Sequence, residues 1–278
     1  MFWVRLRSGI ILVVIALLTV ISGGYILFGT TLAISLIGLG ELYRAAGIAP
    51  TELREKDQKP GWALALTGYL STVSYYACLL FFGGRYSMML MILILTAFLF
   101  VYVFTFPKYH AEQVMAGVFG VLYVSVMLSY LYLTRQMPDG AFIVWLVVIS
   151  SWGCDTCAYC VGMLIGKHKM SPILSPKKSI EGAVGGVLGA ALLGALYAAI
   201  VGKYLQAEDQ ILIYALICGV GALISMVGDL AASAIKRNRG IKDYGTLIPG
   251  HGGILDRFDS MIFTAPMIYF LATALVRL

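Results

Sequence analysis

The stretch from residue 233 to residue 259 carries the residue types that bind polyanions and metal ions. It reads SAIKRNRGIKDYGTLIPGHGGILDRFD. Its basic and histidine side chains are Lys236, Arg237, Arg239, Lys242, His251 and Arg257, and its acidic ones are Asp243, Asp256 and Asp259. The chain as a whole is 60% hydrophobic and only 12% charged. So dense a group of charges predicts a site for a polyanion together with a metal ion.

Within this stretch, a glycine turn is typical of a phosphate-binding loop. Pro249, Gly250, His251, Gly252 and Gly253 precede a predicted helix start. Glycine lets backbone N–H groups approach an anion, and the helix dipole favours negative charge at that end. The alternative is a turn that only reverses the chain. Neither a GxxxxGK[ST] nor a GxGxxG pattern is present.

Carboxylates inside or at the mouths of predicted apolar helices indicate a second component of the site. They are Asp155, Glu181, Asp229, Asp256 and Asp259. An ionised carboxylate at such depth is costly unless it is paired or metal-bound, so these residues predict a shared cavity.

Helical spacing places several of these groups on common faces. Asp229, Ser233 and Lys236 follow at i, i+4 and i+7, and Asp256 and Asp259 at i and i+3. Oxygen ligands of this kind suit Mg²⁺, which takes one or two protein carboxylates and completes its shell with water and substrate phosphate. The alternative is that nearby lysine and arginine side chains simply neutralise the acids.

A second basic loop, residues 166–182, reads GKHKMSPILSPKKSIEG. Ser179 stands where a helix N-cap is expected and Glu181 lies in the first turn, so the loop should be anchored to a helix start. Its lysines are Lys167, Lys169, Lys177 and Lys178. They suit lipid headgroups or nucleotide phosphates, or they only mark the cytoplasmic side of the membrane.

The elements that position these residues are membrane helices. A mean hydropathy of +0.89 and repeated apolar runs of about 20 residues predict an all-α polytopic integral membrane protein with a cytoplasm-facing polar cavity. The uncharged run from Ser8 to Gly40 is too long for one span and should break at Gly23 and Gly24. The nine predicted spans are about 8–22, 25–46, 61–82, 87–106, 111–133, 140–165, 180–202, 209–235 and 258–277.

The distribution of lysine and arginine predicts the orientation. With a cytoplasmic N-terminus, the cytoplasmic loops hold fifteen of these residues: Arg5, Arg7, Arg44, Arg54, Lys56, Lys59, Lys108, Lys167, Lys169, Lys177, Lys178, Lys236, Arg237, Arg239 and Lys242. The opposite loops hold four: Arg85, Arg135, Lys203 and Arg277. This bias places both basic loops in the cytoplasm. We expect one membrane domain, 1–278, with a helical scaffold over 1–133 and a catalytic half over 140–278.

Other patterns predict packing. Cys154, Cys157 and Cys160 lie in an apolar helix with no fourth ligand, so a metal cluster is disfavoured. Small residues recur every four positions in the seventh span: Gly182, Gly186, Ala190, Gly194, Ala198 and Gly202. Such a stripe permits close helix contact. Glu41 and Arg44, three residues apart, are interpreted as a local ion pair, and His110 and His168 carry no signal.

The stretch 233–259 resembles the signature of the CDP-diacylglycerol synthase (phosphatidate cytidylyltransferase) family. Serine, Lys-Arg, Lys-Asp, Pro-Gly-His-Gly-Gly and Asp-Arg-x-Asp occur in that order. The resemblance extends over about 150–260. It implies Mg²⁺-dependent transfer of a cytidylyl group from CTP to phosphatidate in phospholipid biosynthesis, in a bacterial cell membrane.

The resemblance also implies roles for individual residues. The expected metal ligands are Asp229, Asp256 and Asp259, with a second cation left open. Lys236, Arg237, Lys242, Asp243 and Arg257 complete the expected catalytic set. The expected substrate-binding residues are Asp155, Lys167, Lys169, Ser175, Lys177, Lys178, Ser179, Glu181, Ser233, Pro249, Gly250, His251, Gly252 and Gly253.

Two other functions fit the same residues. A CTP-dependent lipid-alcohol kinase would use Asp243 or His251 as a base, and a secondary transporter would also place carboxylates in the membrane. The expected partners are CTP, phosphatidate and the bilayer, with no nucleic acid. The sequence leaves a homodimer open.

Overall fold

The computed structural model describes residues 2–49, 60–205 and 210–276, with side chains from Arg7 onward. Arg5, Arg54, Lys56, Lys59 and Arg277 of the charge count lie outside the described side chains. Within the described part the helices are α1 (Phe2–Ser22), α2 (Gly24–Ala45), α3 (Trp62–Phe82), α4 (Ser87–Thr105), α5 (Ala111–Gln136), α6 (Gly140–Ile165), α7 (Ile180–Val201), α8 (Ile211–Asn238) and α9 (Leu255–Leu275).

Eight of these helices, α2 to α9, are long and apolar enough to cross a membrane, counting only the described residues. The described apolar part of α1, Arg7–Ser22, is shorter. Many large hydrophobic side chains on these helices are exposed, such as Met88, Leu164 and Leu212. Exposed apolar surface of this extent is expected where lipid replaces water. The protein is therefore an all-α polytopic membrane protein, as the sequence predicts.

The predicted break in the first apolar run is confirmed at Gly23, which separates α1 from α2. Its φ is 61°, a left-handed conformation that glycine adopts without a steric penalty. The Arg135 side chain lies against Gly23 and donates from Nε to the Val20 carbonyl at 3.3 Å. A carbonyl freed by the helix end thus finds a side-chain donor.

Contacts divide the chain into two compact units. The first consists of Met1–Val13, Phe28–Ser129 and Asn238–Arg257. The second consists of Val14–Leu27, Tyr130–Arg237 and Phe258–Leu278.

Buried polar contacts join the helices inside the first unit. The Tyr43 hydroxyl of α2 donates to the Gly117 carbonyl of α5 at 2.8 Å. Ser35 and Tyr76 share a hydrogen bond of 2.8 Å between α2 and α3. Paired hydroxyl groups avoid the cost of an unsatisfied polar atom in an apolar core.

In the second unit, α6, α7 and α8 meet along small residues. Gly182, Gly186, Ala190, Gly194 and Ala198 are buried on α7, which confirms the predicted stripe, but Gly202 lies in the 3₁₀ turn Gly202–Tyr204 and is exposed. A Cβ added at Gly186 would lie 3.0 Å from Cys154 Sγ, and one at Gly194 would lie 2.7 Å from Cys218 Sγ. The cysteines are free thiols, and Cys154 and Cys218 pack into this contact.

The loop between α6 and α7 forms a small hairpin that the sequence did not predict. Strand β1 (Lys169–Ser171) pairs antiparallel with β2 (Ser175–Ser179). The hairpin ends at Ser179, whose Oγ accepts the Gly182 N–H at 3.1 Å. This is the predicted N-cap of α7. Lys177 and Lys178 of β2 therefore lie directly before the start of α7.

Candidate active site

Lys178 lies at the centre of an ionic cluster in the second unit. Its ammonium forms an ion pair with the Asp229 carboxylate of α8. Burial lowers the pKa of Lys178, but the attraction of Asp229, its hydrogen bond, and the charges of Asp155 and Asp259 raise it overall above the usual 10.5. Lys178 therefore stays charged at neutral pH. The residues Asp155, Lys178, Asp229 and Asp259, far apart in sequence, are brought together here.

A cavity of about 500 Å³ adjoins this cluster in the same unit. Its ionisable lining residues are Asp155, Lys177, Lys178 and Asp229. The rest of the wall is mostly apolar, including Met163, Met170 and Met226, together with Tyr159 and Ser179. Such a cavity suits a ligand with a charged head and an apolar body.

Asp259 is held from two sides within the second unit. Its Oδ1 accepts the Ser260 N–H at 2.8 Å, and its Oδ2 lies 3.9 Å from Lys236 Nζ. Both side chains are buried. Lys236 thus neutralises a buried carboxylate, which is the alternative that the sequence left open for this pair.

Glu181 organises the hairpin loop. Its carboxylate accepts the backbone N–H of Lys167 at 3.1 Å and of His168 at 3.2 Å. His168 Nδ1 lies 2.6 Å from Glu181 Oε1. The sequence pattern carried no signal for His168, and the structure adds this contact with a residue thirteen positions away. No local spacing rule relates these two residues.

In the first unit, the PGHGG turn has the expected positive φ angles, 78° at Gly250 and 84° at Gly252. The His251 N–H donates to the Ile248 carbonyl and the Ile248 N–H to the Gly252 carbonyl, both at 2.9 Å. These two bonds close the turn on itself. The His251 amide is therefore engaged within the protein, and phosphate binding by the turn stays a prediction.

Asp256 fastens the segment before the turn to the start of α9. Its Oδ2 accepts the N–H groups of Tyr244 at 2.8 Å and Gly253 at 3.0 Å. Asp256 is buried, so these hydrogen bonds replace the water that an ionised carboxylate needs. The Gly253 amide is thus also taken up by the protein.

A cleft of about 830 Å³ opens beside this turn. Its charged and histidine lining residues are Lys242, Asp243, His251 and Arg257. The remaining wall includes Gly245, Gly250 and Gly252, where backbone is exposed to a ligand. A polar wall with several cationic groups suits a phosphate-rich ligand.

Glu41, interpreted from the sequence as the partner of Arg44, is attracted by the Arg44 charge but has further partners. Its carboxylate accepts the Ile254 N–H at 3.0 Å and the Leu255 N–H at 2.8 Å. These groups begin α9, more than two hundred residues away. Sequence spacing could not reveal a partner at that distance.

Ser8 is a second contact that the sequence did not predict. Its hydroxyl donates to the Pro249 carbonyl at 3.0 Å, and its Oγ lies 2.9 Å from His251 Nδ1. These contacts join the His251 ring and the Pro249 carbonyl to α1.

The predicted site residues fall into two groups, one in each unit. Those of the second unit are Asp155, Lys167, Lys169, Ser175, Lys177, Lys178, Ser179, Glu181, Asp229, Ser233, Lys236, Arg237 and Asp259. Those of the first are Lys242, Asp243, Pro249, Gly250, His251, Gly252, Gly253, Asp256 and Arg257. Arg237, Lys167 and Lys169 are exposed, and Ser175 and Ser233 are half-buried.

The described residues contain no group of three or more His, Cys, Asp or Glu side chains that could hold a metal ion. Mg²⁺ often uses only one or two protein carboxylates. The oxygen donors of Asp229 and Asp259 therefore remain chemically suited to it.

The helices define an α-helical membrane protein, and lysine or arginine side chains line two of its cavities. The sequence model of the cytidylyltransferase family matches residues 3–275. The chain therefore belongs to the cytidylyltransferase family.

Individual relatives agree with this assignment. The phosphatidate cytidylyltransferase of Staphylococcus epidermidis is 32% identical over 269 residues, which cover 95% of this chain and 96% of that protein. That of Thermotoga maritima is 36% identical over 164 residues, or 59% and 60% of the two chains. That of Synechocystis sp. is 42% identical over 142 residues, or 51% and 47%.

Proposed function

We propose that this protein transfers a cytidylyl group from CTP to phosphatidate, forming CDP-diacylglycerol and pyrophosphate. The observation that carries the proposal is the similarity, over nearly the whole chain, to a protein named phosphatidate cytidylyltransferase. The cationic side chains in the two cavities support it, because the reaction joins a soluble polyanion to a membrane anion.

The lining of each cavity favours one substrate. The cavity beside Lys178 combines two lysines with Tyr159 and Met163, which are exposed side chains of a membrane helix. This mixture suits the phosphate and upper acyl region of phosphatidate. The cleft lined by Lys242, His251 and Arg257 is polar and suits the triphosphate of CTP.

The chemistry requires no protein nucleophile. A phosphate oxygen of phosphatidate attacks the α-phosphorus of CTP, a new P–O bond forms, and the bond from the α-phosphorus to the bridging oxygen breaks to release pyrophosphate. Alignment and charge neutralisation supply most of the catalysis in such transfers. Lys178 would neutralise the lipid phosphate, and Lys242 and Arg257 the triphosphate.

We further propose Mg²⁺ as the cofactor. Asp229 and Asp259 both act electrostatically on Lys178 and provide oxygen donors of the kind Mg²⁺ prefers. Asp256 lies in the first unit, where one of its oxygens already accepts two amides, and its role as a further ligand stays a prediction. When bound, the ion would polarise phosphate oxygens and offset the charge that develops at the transferred group.

The proposed orientation places the N-terminus and both basic loops in the cytoplasm. The excess of lysine and arginine in those loops supports it. Alkaline phosphatase fused after the last residue should be active outside the cytoplasm, because α1, proposed as a ninth span beside α2 to α9, would put the termini on opposite sides. An inactive alkaline phosphatase fusion, together with an active fusion of a cytoplasmic reporter at the same position, would contradict this orientation.

Pyrophosphate release tests the function. Purified protein in detergent micelles should release pyrophosphate only when CTP, phosphatidate and Mg²⁺ are all present. Release that does not depend on phosphatidate would contradict the proposal.

A further inference from the structure

Glu41 is a buried acid that none of the predicted site roles includes. Its residue is 1% exposed, and it lies near the end of α2 in the first unit. Oε1 accepts the Ile254 N–H at 3.0 Å and Oε2 accepts the Leu255 N–H at 2.8 Å. Each carboxylate oxygen thus binds one of the N–H groups at the start of α9.

The same carboxylate contacts the loop that lines the polar cleft. A Cβ added at Gly253 would lie 2.5 Å from both Glu41 oxygens, and one at Gly245 would also collide with Oε1. Gly245 itself lines the cleft. Glycine at these two positions therefore allows the loop to close directly on Glu41.

Glu41 and Asp256 hold this loop together. Asp256 binds the amides of Tyr244 and Gly253, while Glu41 binds those of Ile254 and Leu255. Consecutive amides from Gly253 to Leu255 are thus fixed by two carboxylates. Since Arg257 follows in the first turn of α9, its position in the cleft depends on this anchoring.

We propose that Glu41 is a positioning residue for the nucleotide cleft. It is not among the residues that line the cleft and acts through the loop that carries Lys242, Gly245 and Arg257. Its carboxylate also occupies the place where a helix start attracts an anion. The triphosphate would therefore be bound by the cationic side chains of the cleft. This inference rests on the proposed cytidylyltransferase function.

The test is E41Q, which keeps the size of the side chain and replaces one acceptor oxygen by an NH₂ group. That group would face a backbone N–H, so the loop must shift to relieve the contact between two donors. We expect the KM for CTP to rise about tenfold, the effect of losing roughly one buried hydrogen bond. The KM for phosphatidate and kcat should change less than about twofold.

The matched control is S35A on the same helix. Ser35 is fully buried and hydrogen-bonds to Tyr76 at 2.8 Å, so the substitution also removes a buried polar contact of α2. It should lower thermal stability without changing the KM for CTP. A purely structural role of Glu41 would make E41Q behave like S35A.

An unchanged KM for CTP in folded E41Q overturns the inference. Should E41Q fail to accumulate in membranes, E41D is measured by the same criterion, since it retains the charge but withdraws the carboxylate by one methylene. Failure of the proposed function has a different signature: the wild-type protein itself would form no product from CTP and phosphatidate.

Discussion

At the scale of single residues, Lys178 determines the charge balance of the cavity in the second unit. One ammonium faces the carboxylates of Asp155, Asp229 and Asp259. The cluster therefore keeps an excess of negative charge even with Lys178 ionised. This excess favours binding of a divalent cation, while the lysine limits repulsion among the acids when no cation is bound.

Replacing Lys178 by methionine should destabilise the protein, because Asp229 would lose its ion pair and the repulsion among Asp155, Asp229 and Asp259 would be offset less. We expect K178M to lower the free energy of unfolding by about 1–3 kcal/mol, measured by denaturant unfolding in detergent. Added Mg²⁺ should restore part of the loss.

The pH dependence of this effect follows from the raised pKa of Lys178. A raised pKa adds stability below the ordinary value of 10.5, and the contribution disappears only as the pH rises through the higher folded value. The difference in the free energy of unfolding between wild type and K178M should therefore be the same at about pH 6.5 and about pH 8.5. The control is K169M, which changes an exposed lysine of the same hairpin. Equal stability of K178M and K169M would contradict the stabilising role of Lys178.

The substitution D229N tests whether Asp229 is a metal ligand. D229N removes one anionic oxygen donor, so the Mg²⁺ concentration for half-maximal activity should rise at least about tenfold. The titration is run at saturating CTP and phosphatidate. D139N, which alters a carboxylate outside the Lys178 cluster, should leave the Mg²⁺ requirement unchanged. Near-wild-type turnover of D229N at limiting Mg²⁺ would show that Asp229 is not a ligand.

At the scale of elements, the small-residue face of α7 sets its distance from α6. The added Cβ at Gly186 would touch Cys154 and Ala158 at 3.0 Å, whereas one at Gly202 meets no atom within 4 Å. Close packing of this kind replaces the hydrophobic effect as the stabilising interaction between membrane helices. The hairpin and Ser179 are anchored to the same helix.

A large side chain on the small-residue face of α7 should push α6 and α7 apart. We expect G186L to lower the free energy of unfolding by about 1–3 kcal/mol, because a leucine cannot fit without moving α6. G202L, which adds the same side chain where there is space, should have little effect. Thermal unfolding in detergent compares the two variants, and equal stability would contradict the packing described for α6 and α7.

The elements could be predicted from the sequence because their causes are local. Apolar runs determined the spans, Gly23 marked the break, and Ser179 with Glu181 marked the start of α7. The hairpin over 169–179 was missed, since its strands are short, carry Pro176 and pair only through backbone groups. Strand propensities of single residues therefore do not indicate where such a pair of strands forms.

At the scale of the whole molecule, the contacts that the sequence did not predict join distant segments. Glu41 binds residues 213 and 214 positions away, and Ser8 contacts His251, 243 positions away. The sequence predicted which residues carry charge and the helices that hold them. It could not assign their partners, because those depend on how distant segments pack.

Cytidylyl transfer is tested most directly by the position of a label. CTP labelled at the α-phosphate and CTP labelled at the γ-phosphate are incubated separately with the protein, phosphatidate and Mg²⁺, and the lipid is extracted. We expect only the α-phosphate label to enter the lipid. Entry of the γ-phosphate label would indicate a kinase and contradict cytidylyl transfer.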